Sequence, residues 1–142
     1  MTLSTLFATI KTALETITGV KDVSTDITRF NGAKDYPVLY YELNNSGTEW
    51  ISFPQATVTD REAKVELSVY GALNPRYAKN IEANTIALIG NVEGAINGIL
   101  LNNADIVDVR LSSQRNDIDI NNSFGYFQAV FEIVYLYNRL SP

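Results

Sequence analysis

The chain has no cysteine and no histidine among its 142 residues. The first absence excludes disulfides and thiolate metal sites, and the second excludes imidazole general bases. Together they remove every Ser-His or Cys-His nucleophile. With no thiol to oxidise, nothing in the chain requires an oxidising compartment. Long apolar runs are missing as well, since no window approaches the roughly 20 residues of a membrane-spanning helix. Met1 to Lys11 has neither a basic leader nor a continuous apolar stretch, so it does not read as a signal peptide, and a soluble, non-exported polypeptide is expected. Positive charge is scarce and scattered: 11 Lys and Arg stand against 16 Asp and Glu, for a net charge of -5. Tight binding of nucleic acid needs clustered cations against phosphate and is not expected. An acidic protein can still surround nucleic acid without sticking to it.

What is present is globular in character. Hydrophobic residues make up 46% and charged residues 19%, close to average for a folded domain and far from disorder. The length suits a single domain over residues 1–142 with one core. Leu3, Leu6, Phe7, Ile10, Ala13, Leu14 and Ile17 recur at three- and four-residue spacing, which predicts an amphipathic helix from Thr2 to Thr18, capped by Thr2 and ended by Gly19. Val20 to Phe30 is polar and β-branched and reads as a short or edge strand. Asn31-Gly32 signals a turn, and Pro37 places the next strand at Val38–Leu43, broken by Asn44-Asn45-Ser46-Gly47.

From Asn44 to Thr59 no period persists, and a long loop carrying Trp50, Ile51 and Phe53 is expected. Its aromatic residues either fold back as a lid on the core or bury against another subunit. Ala63, Val65, Leu67 and Val69 alternate with Glu62, Lys64, Glu66 and Ser68, the pattern of a strand with one buried face, ended by Gly71. Asn74-Pro75 opens a second helix with Tyr77, Ala78, Ile81, Thr85, Leu88 and Ile89 on its buried stripe. Gly90, Gly94 and Gly98 follow, each costing about 1 kcal/mol inside a helix relative to Ala. A break at Gly90, then a turn or short helix, is expected in preference to a continuous helix with a glycine-lined face. Ile106–Leu111 alternates again, with Val107, Val109 and Leu111 on one face. A polar segment, Ser112 to Ser123, precedes a last strand, Tyr126–Tyr137, apolar on both faces and so central or covered.

The order α-βββ-α-ββ predicts an α+β domain: a mainly antiparallel sheet, consecutive strands as antiparallel neighbours, both helices on one face, and a long hairpin loop. The other face, with Lys64, Glu66, Ser68, Tyr70, Gln128 and Glu132, is neither a clean solvent face nor a clean core, and it suits a protein interface. Chemistry is harder to find. Asp117-x-Asp119-x-Asn121 begins like a calcium loop but then departs, with Asn122 where Gly is needed and Gln128 where Glu is needed. No phosphate-cradling glycine loop opens a helix, and no carboxylate pair sits in a recognisable cleft. No catalytic residue, metal site or cofactor is assigned.

An N-terminal amphipathic helix ending in Thr18-Gly19-Val20, the Tyr36-Pro37-Val38-Leu39-Tyr40-Tyr41 strand, the Ala63–Tyr70 strand, the Arg76-Tyr77-Ala78 helix and a closing strand ending Val134-Tyr135 together resemble bacteriophage tail terminator and tail-completion (head-tail joining) proteins. The resemblance implies a non-enzymatic virion component, in the tail or neck and assembled in the host cytoplasm. It implies a hexameric ring that caps the tail tube, stops its growth and faces the head-tail connector or stopper. Its partners would then be copies of itself, the tail tube protein and the connector, with DNA passing through the channel unbound and no membrane involved. A tail tube or other neck protein of related fold is the nearest alternative. A metal-binding domain built on Asp117 and Asp119, or an adaptor with a patch at Trp50 and Phe53, is a more distant one. Within the ring reading, Trp50 and Phe53 are subunit-interface candidates. So are Arg61, Arg110 and Arg115, as salt-bridge partners for Asp60, Asp117 or Asp119.

Overall fold

The computed structural model describes residues 1–52, 60–73, 81–119 and 124–138. Among them the chain runs α1 (Leu3–Glu15), β1 (Asp22–Ser24), α2 (Ile27–Asn31), β2 (Val38–Ser52), β3 (Asp60–Leu73), α3 (Ile81–Asn102), β4 (Ile106–Asp119) and β5 (Phe124–Asn138). The strands form one sheet in the order β1-β2-β3-β5-β4. β1 pairs with β2 in parallel, and the other pairings are antiparallel. The chain is an α+β protein with a mostly antiparallel sheet. Leu6, Ile10 and Leu14 of α1 and Leu88, Val92 and Ile96 of α3 join the inner faces of the strands in one core, so both long helices cover the same side.

α1 forms where the apolar spacing places it. The Thr5 N–H donates to Thr2 Oγ1 at 3.1 Å, closing the cap. The helix stops at Glu15 with Thr16 as its C-cap, shorter than expected. Gly19 does adopt the left-handed conformation, φ 89, but beyond the cap, where it turns the chain toward β1. The Lys21 N–H then donates to the Pro37 carbonyl at 2.8 Å, which sets β1 beside β2.

Two connections differ from expectation. The segment Val20–Phe30 is an edge strand only in its first half. Asp26 then caps α2, its Oδ1 accepting from the Thr28 N–H at 2.9 Å and the Arg29 N–H at 3.4 Å. Five residues are too few for a helical period to show in sequence. This helix is a crossover that brings the chain back in the same direction, so β1 and β2 are parallel rather than antiparallel.

All four long strands outrun their predicted bounds. β2 does not break at Asn44-Asn45-Ser46-Gly47. Asn44 pairs with Glu66 and Glu49 with Lys64, five steps on β2 against two on β3, so the surplus residues form a bulge and pairing resumes to Ser52. The part of the expected loop from Asn44 to Ser52 is therefore strand, and residues 53–59 lie outside the described residues. β4 likewise continues past a bulge at Ser112 to Asp119 because β5 offers a partner for each residue from Ser113 on. A second bulge, between Ile106 and Asp108, takes Val107 out of the alternation and leaves it 42% exposed, not on the inner face with Val109 and Leu111. β5 is central, as its two apolar faces predict.

Gly71 does not end β3. It pairs with Phe127 inside the β3–β5 ladder, and a Cβ there would stand 2.0 Å from Phe127 Cε1. The missing side chain makes room for the phenyl ring. Gly90, Gly94 and Gly98 do not break α3 either, which is continuous over Ile81–Asn102. Val92, Ile96 and Ile99 carry the buried stripe of Thr85, Leu88 and Ile89 through the glycine region. Burial of an aliphatic side chain is worth roughly 1.5–3 kcal/mol, more than the roughly 1 kcal/mol each glycine costs. The start of this helix at Asn74-Pro75 and the residues Tyr77 and Ala78 lie outside the described residues.

Two stability measurements follow from the glycines. Gly71→Ala should lose about 1–3 kcal/mol in urea unfolding through the clash with Phe127. The double variant Gly71→Ala/Phe127→Leu should lose less than the sum of the single changes, since the two positions share one space. A Cβ at Gly94 meets nothing within 4 Å. Gly94→Ala should therefore stabilise the protein by about 0.5–1 kcal/mol, whereas a helix ending at Gly90 would show no gain.

Candidate functional site

A cavity of about 640 Å³ is an open groove between α1 and α3 lined by residues such as Thr5, Thr9, Thr12, Gly94 and Gly98. None of its lining residues titrates. Side chains linked to one another from strand to strand by hydrogen bonds and ion pairs lie on the opposite side of the sheet, on its outer face.

There the period-two alternation puts Tyr40 and Glu42 of β2, Lys64, Glu66, Ser68 and Tyr70 of β3, Gln128 and Glu132 of β5, and Arg110 and Arg115 of β4 on one surface. Phe30 of α2 lies against Tyr40 with ring centroids 5.9 Å apart, and Tyr40 against Tyr70 at 5.6 Å. The Tyr40 hydroxyl donates to Glu42 Oε2 at 3.0 Å and the Tyr70 hydroxyl to Glu42 Oε1 at 3.5 Å. Gln128 Nε2 in turn donates to the Tyr70 hydroxyl at 3.2 Å. Partial burial is the main cause that raises both phenols above their ordinary value, with the Glu42 carboxylate adding to it.

A second cluster ties three strands together. Glu66 and Glu132 face each other across the β3–β5 ladder, a like-charge contact that would be unfavourable alone. Lys64 Nζ reaches Glu132 Oε1 at 3.1 Å, and Arg110 Nη2 binds Glu132 Oε2. The hydrogen bond from Lys64 does most to hold the Glu132 carboxyl below its usual value, and Arg110 acts in the same sense. On the inner face Tyr41 is fully buried, packed on Phe7 at 5.2 Å, with no hydrogen-bond partner for its hydroxyl among the described residues. Burial pushes that phenol to about 12. Each of these shifts moves its group away from neutral pH, the opposite of what acid–base catalysis asks.

The structure separates the residues singled out from sequence. Arg110 is engaged within its own chain by Glu132. Arg115 is exposed, has no ion-pair partner among the described residues, and lines a cavity of about 140 Å³ with Tyr70, Tyr126 and Gln128. Trp50 belongs to β2, opposite Ala63, rather than to a loop, and Arg61 stands in β3 opposite Tyr137. Asp117 and Asp119 stand in β4 opposite Tyr126 and Phe124. The side chains of Trp50, Arg61, Asp117 and Asp119, and all of Phe53, lie outside the described residues, as do the side chain of Asp60 and Asn121. Among the described residues no three Asp or Glu side chains gather as a metal-ligand group, and no helix is long and apolar enough to cross a membrane. The row of Phe30, Tyr40 and Tyr70 was not foreseen. Alternation alone placed Tyr70 on the outer face, but only the β2–β3 register sets Tyr40 beside it.

No protein-family model and no curated protein sequence matches the chain.

The Glu132 cluster makes acid sensitivity testable. Its folded carboxyl titrates below the ordinary 4.5, so its stabilising contribution is present above that pH and is lost as pH falls through the lowered folded value. Glu132→Gln should reduce stability at neutral pH by no more than about 1 kcal/mol, the range of partly exposed pairs. It should also flatten the dependence of urea midpoints on pH in the acid range, and an unchanged slope would show that Glu132 contributes nothing to it.

Proposed function

We propose that this chain is a structural virion protein that forms a ring, hexameric by the resemblance, at the head-proximal end of a bacteriophage tail. There it caps the tail tube and joins it to the head connector. It works by contact rather than by catalysis, and its partners are copies of itself, the tail tube protein and the connector.

The observation that carries this reading is the disposition of the long hairpins. β2 and β3 close at the end of the sheet where β5 finishes, Ser52 pairing with Glu62 and Asp60 with Asn138. β4 and β5 close at the opposite end, where Asp119 pairs with Phe124 and Leu73 with Gly125. A rigid sheet with a hairpin at each end has contact elements on both sides, as a subunit that touches different proteins above and below requires. The outer face supports the same reading, because it sets tyrosine rings, which are enriched at interfaces, beside paired charges and hydrogen-bonded polar groups. The net charge of -5 suits a channel wall past which DNA must slide without adhering.

Electron microscopy of the purified protein, with mass measurement across a concentration series, should show closed rings. Antibody labelling of tails should place the protein at the head-proximal tip. Labelling along the whole tube would assign it instead to the tube, and a protein that stays monomeric and is absent from particles would overturn the proposal.

A further inference from the structure

We infer that Arg115 is one half of a head-to-tail contact between copies of this chain, and that it docks against the α2 edge of the next copy at Asp26 and Ile27. The inference rests on the ring reading and names the surface that would build it.

The argument starts from symmetry. A ring of more than two subunits is closed by heterologous contacts, in which two different patches of the same chain meet. The two edges of the sheet are such a pair of patches. They are linked by one cross-strand row: Ser24 pairs with Tyr40, Tyr40 with Tyr70, Tyr70 with Gln128, and Gln128 with Arg115. The chain leaves β1 at Ser24 and reaches Asp26 and Ile27 at once, and the Asp26 N–H donates to Ser24 Oγ at 2.9 Å. Arg115 and the Asp26-Ile27 pair therefore stand at opposite ends of a single level of the sheet. A neighbour placed beside the sheet by the rotation of a ring brings one edge against the other.

The chemistry of the two ends is complementary. At the β4 end, Arg115 is an exposed guanidinium with no ion-pair partner among the described residues, beside Tyr126, which is 41% exposed. The cavity of about 140 Å³ that these two share with Tyr70 and Gln128 is large enough for a side chain. At the α2 end, Asp26 is an exposed carboxylate and Ile27 is 49% exposed. The nearest cation on that helix, Arg29, is already bound to Asp22, so it does not cancel the Asp26 charge. At this level of the sheet one edge thus presents an exposed cation beside a tyrosine ring and the other an exposed anion beside an isoleucine. A planar guanidinium facing a carboxylate across a partly desolvated contact fixes orientation as well as adding attraction. The open edge of β4 is not suited to simple strand addition, since it carries bulges at Val107 and at Ser112 and charged side chains. The pairing runs through side chains.

Sedimentation velocity over a concentration series tests this on the full chain. Arg115→Asp should weaken self-association about tenfold or more, and so should Ile27→Arg, which sets a cation against Arg115. Both positions are exposed, and circular dichroism and thermal melts should match the wild type. The double variant Arg115→Asp/Ile27→Arg restores opposite charges and should regain most of the lost assembly. Wild-type assembly with both single variants assembling equally well would overturn the contact while leaving the ring reading in place. Two weakened single variants with no recovery in the double variant would also overturn the pairing. A wild type that remains monomeric would overturn the ring reading, and this contact with it.

Discussion

β3 and β5 lie side by side at the centre of the sheet, and the register between them is the constraint on which the rest of the molecule depends. Side chains on a strand alternate between faces, so a slip of one residue would turn Val65, Leu67 and Val69 outward and bring Lys64, Glu66 and Ser68 into the core. In the observed register these apolar residues meet Ile133, Phe131 and Ala129, all buried. Gly71 adds a steric lock. Phe127 can lie across the ladder only where its partner has no Cβ, so neighbouring registers would drive the ring into a side chain. With that pair set, β2 and β4 add on either side, and α1 and α3 have a single apolar face to cover.

The same register writes the outer face. Alternation that buries one set of side chains must present the other, and it does so in cross-strand rows rather than along single strands. Glu132 is held by cations from both neighbouring strands because Arg110 stands opposite it and Lys64 reaches it from the next row, opposite Val134. That arrangement relieves its contact with Glu66. One level along the sheet, Tyr40, Tyr70, Gln128 and Arg115 make a band that is aromatic at one end and cationic at the other. This is a surface with fixed geometry and mixed chemistry on a stiff support. Such a surface is better suited to recognising another protein surface than to gripping a small substrate, and the proposed role in a ring rests on that distinction.

Where periodicity is sustained by burial, the chain could be read directly. The α1 stripe, the β3 alternation and the two-sided apolar character of β5 each recur over enough residues to outweigh local exceptions. The misreadings came from residues taken as punctuation. Asn44-Asn45-Ser46-Gly47 looks like a turn, but β3 holds partners beyond it and the surplus is absorbed as a bulge. Gly71 looks like a strand end and is a space for a ring. Gly90, Gly94 and Gly98 look like helix breaks, yet the apolar stripe continues past them. In each case a local preference of about 1 kcal/mol met a tertiary contact worth more. α2 failed for the opposite reason, being too short to have a period at all.

The sequence by itself determined the absences and the faces. Without cysteine or histidine whole classes of chemistry are closed, and the spacing of apolar residues settles which side of α1 and β3 is buried, because burial follows the period wherever no bulge interrupts it. Tertiary structure alone decided which outward residues become neighbours. Arg110 and Arg115 look alike in sequence, five residues apart on one strand, but the β4–β5 register sets Arg110 opposite Glu132 and Arg115 opposite Gln128. One guanidinium is thereby paired within the chain, and the other has no ion-pair partner among the described residues. That difference is a property of strand pairing, which brings together residues far apart in the chain and which no local pattern encodes.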